Sequence, residues 1–284
     1  MSGYVLVICV HPWLSVVLFC LTGLAMSNIA AERLSFAQTL AGLDRAEAHL
    51  VKILARLRRA ADIPSQAKLL DVGAAQGLML IAADRLGLRA TGVEPWEPAR
   101  LLACQLAEHC GTKIDIRPGQ AETLDFDDES FDIVHALAVA EHVRDPQTMF
   151  NEAWRVLRPG GVFWFTTTNK LCPRQNEIAW FPCFSWYPAP LQTKLTRWTQ
   201  RRKPSWVGNT HSPAMHWFTP GKTRSMLSQA GFNKILDSWD ARLDSEGGAL
   251  HKIALRFIRS ASLPKLLANL CCQGSSYVAV KIGK

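Results

Sequence analysis

Apolar positions recur with two different periods along the chain. Leu40, Leu43, Leu50, Ile53, Leu54 and Leu57 fall at helical spacing, and Arg56, Arg58 and Arg59 give that segment a basic end. Cations there suit the negative end of a helix, so the pattern predicts a helix over 31–60, closed by Pro64. From residue 68 the rhythm changes: short apolar runs alternate with longer amphipathic segments. Strands are predicted near 68–72, 90–94, 113–117, 131–136 and 162–168, and helices near 77–87, 98–110 and 146–157. Such alternation belongs to an α/β architecture, a mostly parallel Rossmann-like sheet with helices on both faces.

Residues 170–218 break the rhythm. They hold five of the ten Trp (180, 186, 198, 206 and 217), with neither period sustained over most of their length, and read as an inserted lid. Order returns at Thr219-Pro220, which cap a helix ending at Ala230-Gly231. A strand near 234–240 and a last strand over 276–282 complete the pattern. Between them lies a basic helix near 249–260, with Leu250, Ile253, Phe257 and Ile258 on one face and Lys252, Arg256 and Arg259 on the other. The apolar face of such a helix has two uses, packing on the fold or meeting a membrane. The expected organisation is thus an apolar segment over 1–30, an N-terminal helix over 31–64, an α/β core over 65–169, an inserted lid or binding element over 170–218 and the rest of the fold over 219–284.

Composition narrows the classes. The chain has 284 residues, 48% hydrophobic and 20% charged, which excludes a disordered or collagen-like chain. Its eight Cys form no CxxC pair, so neither a disulfide scaffold nor a structural zinc site is expected. The net charge of +8 is unevenly placed: from Lys170 to Lys222, Glu177 is the one acid among eight Lys/Arg, and after Gly248 there are no acids at all. Anionic partners follow, whether a phosphate-bearing substrate, a membrane surface or nucleic acid. Residues 4–26 carry no Asp, Glu, Lys or Arg and are long enough to cross a bilayer. They read either as an anchor that leaves the rest cytoplasmic, because basic residues follow it, or as the product of a start placed before Met26.

The candidate chemistry begins at LLDVGAAQG (69–77), a strand ending in an acid and a glycine turn that opens a helix, where backbone N–H groups face a ligand. Glu94 ends the next strand and suits the two hydroxyls of a ribose. GQAETLDFDDESFDIVHALAVAEHVRDP (119–146) and WRVLRPGGVFWFTT (154–167) follow. In this order the pieces resemble the class I S-adenosylmethionine-dependent methyltransferases, in particular the branch that includes the quinone-ring methylases. The resemblance covers 68–168. It implies S-adenosylmethionine as cofactor and a seven-stranded sheet whose last strand is antiparallel. It also implies that Asp71 and the turn Gly73, Ala75 and Gly77 lie near the methionine part, Glu94 on the ribose and Gln120-Ala121 beside the adenine, with Arg158-Pro159-Gly160-Gly161 as the turn into the fifth strand. Two positions depart from the family. Ala75 replaces a glycine, which is tolerable only at negative φ, and Gln120 replaces an acid.

Methyl transfer from a sulfonium needs few catalytic groups, chiefly one that takes a proton from an acceptor hydroxyl. His142 is the expected base and Glu141 its support, whereas His135, inside a strand, reads as structural. In the ubiquinone-type relatives this segment reads E-x-x-E-H and can hold a divalent metal. Here Ala138 takes the first place, and two remaining ligands hold a metal poorly, so no metal is expected. Trp180, Trp186, Tyr187, His216 and Trp217, beside Lys194, Arg197, Arg201, Arg202 and Lys203, are the expected acceptor residues, suited to an amphiphile with an anionic head or a membrane interface. The predicted function is methylation, on oxygen, of a small-molecule, lipid, quinone or glycan acceptor, with peripheral contact to an anionic membrane as a further partner. A nicotinamide dehydrogenase wants G-x-G-x-x-G, which the turn lacks. Base-amino nucleic-acid methylases carry a Pro-Pro motif, and none occurs here. RNA ribose methylation and a non-catalytic protein of the same fold are the remaining alternatives.

Overall fold

The computed structural model describes residues 36–175, 177–178, 180–208 and 213–283. Two helices lead in, α1 (Phe36–Leu40) and α2 (Leu43–Ala60). The predicted 31–60 helix is therefore broken at residues 41–42, and its first residues, like the apolar 4–26 segment, lie outside the described residues. The elements β1 (Lys68–Val72), α3 (Leu78–Arg85), β2 (Arg89–Val93), α4 (Glu97–His109), β3 (Asp115–Arg117), β4 (Phe131–Leu137), α5 (Pro146–Val156) and β5 (Leu157–Thr168) follow in the predicted alternation. After the insertion come α7 (Pro220–Ala230), β6 (Lys234–Leu236), α8 (Ala249–Ser260), α9 (Ser262–Leu270) and β7 (Gly274–Val280). The insertion itself contains α6 (Ala189–Arg202), a helix its sequence does not announce, because Thr199 is the one residue in it that is fully buried.

The seven strands form one sheet in the order β3-β2-β1-β4-β5-β7-β6, parallel except for β7, which is antiparallel to both neighbours. Leu69, Ile133, Val162, Trp164 and Val278 pack under α2 and α3 on one face. Leu70, Val134, Phe163, Phe165 and Tyr277 pack under α5 and α7 on the other. Period-two side-chain alternation thus places two apolar layers on the two faces of the same strands. β5 starts at Leu157 and not at 162: Arg158 ion-pairs with Asp132, and Gly160 (φ 80°) and Gly161 exchange backbone bonds with Lys281, so the predicted turn is a bulged extension of the strand. The chain order reverses between β1 and β4, and in such sheets the crevice beyond the carboxyl ends at that reversal is where ligands bind.

Candidate active site

Three glycine-turn residues after β1 have left-handed backbones: Gly73 (φ 73°), Ala75 (φ 46°) and Gly77 (φ 71°). A Cβ on Gly73 would meet the side chain of Val139 at 2.6 Å, and one on Gly77 the Cβ of Ala103 at 2.8 Å, so both glycines permit close packing as well as the turn. Ala75 corrects the expectation of negative φ, and a Cβ there costs about 1–2 kcal/mol. Two hydrogen bonds hold the strained turn in place. The Gly73 N–H donates to the carbonyl of Val93 at the end of β2, and the Ala75 N–H donates to Oε2 of Glu94 at 2.9 Å. No side chain caps α3, so its first N–H groups open toward the crevice.

Glu94 is buried. Its Oε1 accepts the N–H of Trp96 at 2.9 Å, which leaves each carboxylate oxygen with a lone pair to offer a diol. Ala121 is buried beside this crevice, and Gln120 is exposed. Asp71 sits lower, on the face of β1 that α2 covers. Its Oδ1 lies 2.5 Å from Nδ1 of His135, its register partner on β4, and the His135 ring stacks on Trp164 at 5.0 Å. The pair is buried within the sheet layer.

β4 ends in a second strained residue, Ala138 (φ 53°), whose N–H donates to Thr166 Oγ1. Beyond it, Val139 touches the Gly73 turn and His142 follows three residues later, so the glycine turn and the acid/base segment are neighbours. Glu141 is buried; Thr167 donates to its Oε2 at 3.0 Å. The returning end of the insertion docks on the same residue, with the N–H groups of Met215 and His216 donating to the Glu141 carbonyl. The His216 ring is itself tied to the carbonyl of Val143 at 2.9 Å.

Glu177, from the start of the insertion, completes this cluster. Its Oε2 lies 3.9 Å from Nε2 of His142, and donor atoms of Glu141, His142 and Glu177 all lie within 4.8 Å of one another. Burial first, and the Glu177 carboxylate second, push Glu141 up to about 8; burial likewise raises Glu177, with His142 opposing. The count of two metal ligands is therefore corrected to three, two carboxylates and an imidazole. Placing two carboxylates this near one another in partly buried surroundings favours a proton or a cation between them, and a nitrogen–oxygen donor set fits a divalent ion. Glu177 has a signal in the sequence, as the lone acid in a basic insertion, but only the fold shows where it goes.

The expected acceptor residues divide. Phe184 is buried and packs against Tyr187 and Trp217. Trp186 is half exposed and donates from Nε1 to the Lys170 carbonyl, and Trp180 is exposed against Trp206. Phe184 thus supports the insertion from within, whereas Trp180 and Trp186 stand on its surface. Along α6, Lys194, Arg197, Trp198 and Arg201 line a separate shallow groove.

Residues 70–165 match the family model described as a methyltransferase domain. Over that stretch the chain is similar to a methyltransferase domain. The domain is 36% identical over 102 residues to a ubiquinone biosynthesis O-methyltransferase of Methylobacterium sp. (strain 4-46), a match covering 36% of this chain and 41% of that protein. It is 38% identical over 104 residues to the protein of the same name from Maricaulis maris, with the same coverage of both. The chain thus aligns with about two-fifths of these relatives' length. A solved S-adenosylmethionine-dependent methyltransferase of Mesorhizobium loti shares the fold at a TM-score of 0.52, with 18% identity over 79% of this chain and 95% of that one. S-adenosylmethionine, the cofactor that the similarity implies, fits what is present at the crevice: an open helix start, a glycine turn and a buried carboxylate with unused lone pairs.

Proposed function

We propose that the chain is an S-adenosylmethionine-dependent methyltransferase that methylates a hydroxyl of a small-molecule acceptor of the lipid or quinone type. The observation that carries the proposal is the convergence of Glu141, His142 and Glu177 beside the glycine turn, since a hydroxyl acceptor needs a proton acceptor next to the donor's methyl group. Glu94 holds the donor's ribose, and the α3 N–H groups and glycine turn receive its methionine end. Asp71 stiffens the floor through His135 and reaches the methionine end only from below, and Gln120 and Ala121 border the adenine. The acceptor oxygen forms its bond to the methyl carbon as the carbon–sulfur bond breaks and its electron pair stays on sulfur. His142 takes the hydroxyl proton, and the Glu177 carboxylate at 3.9 Å favours the resulting imidazolium.

In place of His142 acting as base, Glu141, His142 and Glu177 would hold a divalent cation, which when bound would supply Lewis acidity toward the same hydroxyl. His216 and Trp217, at the closing end of the insertion, border the acceptor side; Trp180, Trp186 and Tyr187 form its outer aromatic wall. The relatives named as ubiquinone biosynthesis O-methyltransferases support oxygen as the methylated atom. An apolar acceptor concentrates in a bilayer, and peripheral contact with an anionic membrane is part of the same proposal. Incubation with donor labelled in the methyl group and a panel of phenols, quinols, lipids, glycans and RNA tests it. Label on a hydroxylated small molecule is the expected result. Label on RNA alone, or a folded protein that binds a nicotinamide nucleotide and not S-adenosylhomocysteine, would overturn it.

A further inference from the structure

Amphipathic surface helices turn their apolar stripe to the core. α8 does the reverse. Leu255 is its one fully buried side chain, and Arg259 on its polar side is drawn to the body of the protein, donating to the carbonyls of Trp239 and Arg242 and pairing with Asp244 at 3.1 Å. The stripe of Leu250, Ile253 and Phe257 is left facing outward, between 63% and 83% exposed. α9 packs on α8 and adds a second stripe, Leu263, Leu266 and Leu267, 44% to 64% exposed. Six large apolar side chains on two adjoining helices make a patch of the kind soluble surfaces avoid unless something covers it.

Charge identifies the cover. No Asp or Glu occurs after Gly248. Lys265 is held inward by Asp237 and Asp240, whereas Lys252 and Arg256 stand exposed beside the apolar stripe of α8. Self-association across a two-fold axis would bring two such faces together with no acid on α8 or α9 to meet Lys252 and Arg256. An anionic bilayer surface meets both features, receiving the apolar side chains below its headgroups and the cations among them. We infer that α8 and α9 together form the surface by which this protein docks on anionic lipid, with Leu250, Ile253 and Phe257 inserted and Lys252 and Arg256 at the headgroups. The inference rests on the membrane contact proposed above and assigns it to one face. That face is distinct from the Trp-rich insertion.

Sedimentation of the full chain with vesicles tests it, using phosphatidylcholine alone and equal parts of phosphatidylcholine and phosphatidylglycerol, at low and raised salt. The wild type should bind the anionic vesicles and be released by salt. The triple variant Leu250→Ser, Ile253→Ser, Phe257→Ser should bind them roughly tenfold more weakly or worse while binding S-adenosylhomocysteine as before, because these side chains support nothing beneath them. Lys252→Glu with Arg256→Glu should lose the preference for anionic lipid. If both variants bind as well as the wild type, membrane contact stands but this face is not its agent. Failure of the wild type to bind either vesicle overturns both readings. If light scattering shows a wild-type dimer that the triple variant dissolves, the face belongs to a second copy.

Discussion

Oε2 of Glu94 accepts the backbone N–H of Ala75 at 2.9 Å, so the residue proposed to receive the donor's ribose also pins the strained turn proposed to receive its methionine end. One substitution therefore strikes both halves of the donor site. Glu94→Ala should lose about 1.5–3 kcal/mol of S-adenosylhomocysteine binding, the range for hydrogen bonds to a charged group, as read by titration calorimetry. Affinity equal to wild type would remove Glu94 from the donor site.

Ala75 bears a Cβ at φ 46°, a conformation that glycine adopts without penalty. Ala75→Gly should relieve that strain, partly offset by the greater freedom of glycine in the unfolded chain. A net gain of about 0.5–1 kcal/mol in urea unfolding is expected. Donor affinity should hold or rise. A loss of stability would mean that the alanine side chain is needed in the turn.

His142 is proposed to serve the acceptor half. His142→Ala should leave S-adenosylhomocysteine binding unchanged and lower turnover of the true acceptor by roughly 10²–10⁴-fold, the usual contribution of a general base. Parallel losses in donor binding and turnover would instead point to collapse of the loop after β4.

Glu177 is the group that the insertion brings to the site. Glu177→Gln keeps the shape and removes the charge, and Mn²⁺ binding measured by calorimetry should weaken by roughly tenfold or more, since even outer partners of metal ligands cost that much. Undiminished Mn²⁺ affinity would show that any cation sits elsewhere.

A pH effect follows from His49 on α2, which meets Trp164 edge-on at 5.7 Å. Burial first, then the neighbouring His135, Arg56 and Lys52, hold it down at about 4 against an ordinary 6.5. Between those values the unfolded chain carries the proton and the folded one does not, so stability rises with pH across this window. This contribution is complete above about 6.5 and is lost as pH falls toward 4. Urea unfolding of His49→Gln across the same range should show a shallower acid decline than wild type; parallel curves would refute the assignment.

Much of the donor half was legible in order along the chain. Local period and glycine placement determine β1, its turn and the following strand, and in a parallel sheet the carboxyl ends of successive strands come together at one edge, so Asp71, Gly73, Gly77 and Glu94 could be assigned to one region from spacing alone. Local pattern could not reveal which way Asp71 turns, because that depends on His135, 64 residues away. Nor could it show that Ala75 is left-handed, because Glu94 and the end of β2 impose that conformation across the sheet.

The acceptor half depended on tertiary structure to a greater degree. The segment Glu141-His142 is visible in the sequence, but its third member is 36 positions on, in the insertion that lacks periodicity, and the insertion's return to the Glu141 carbonyl accompanies Glu177 at the site. α8 makes the same point in reverse. Its spacing determines that it is amphipathic, but Arg259, bound to Trp239, Arg242 and Asp244, decides that the apolar stripe faces outward. Periodicity divides a helix into two faces, and only the partners available in the folded body decide which face they cover.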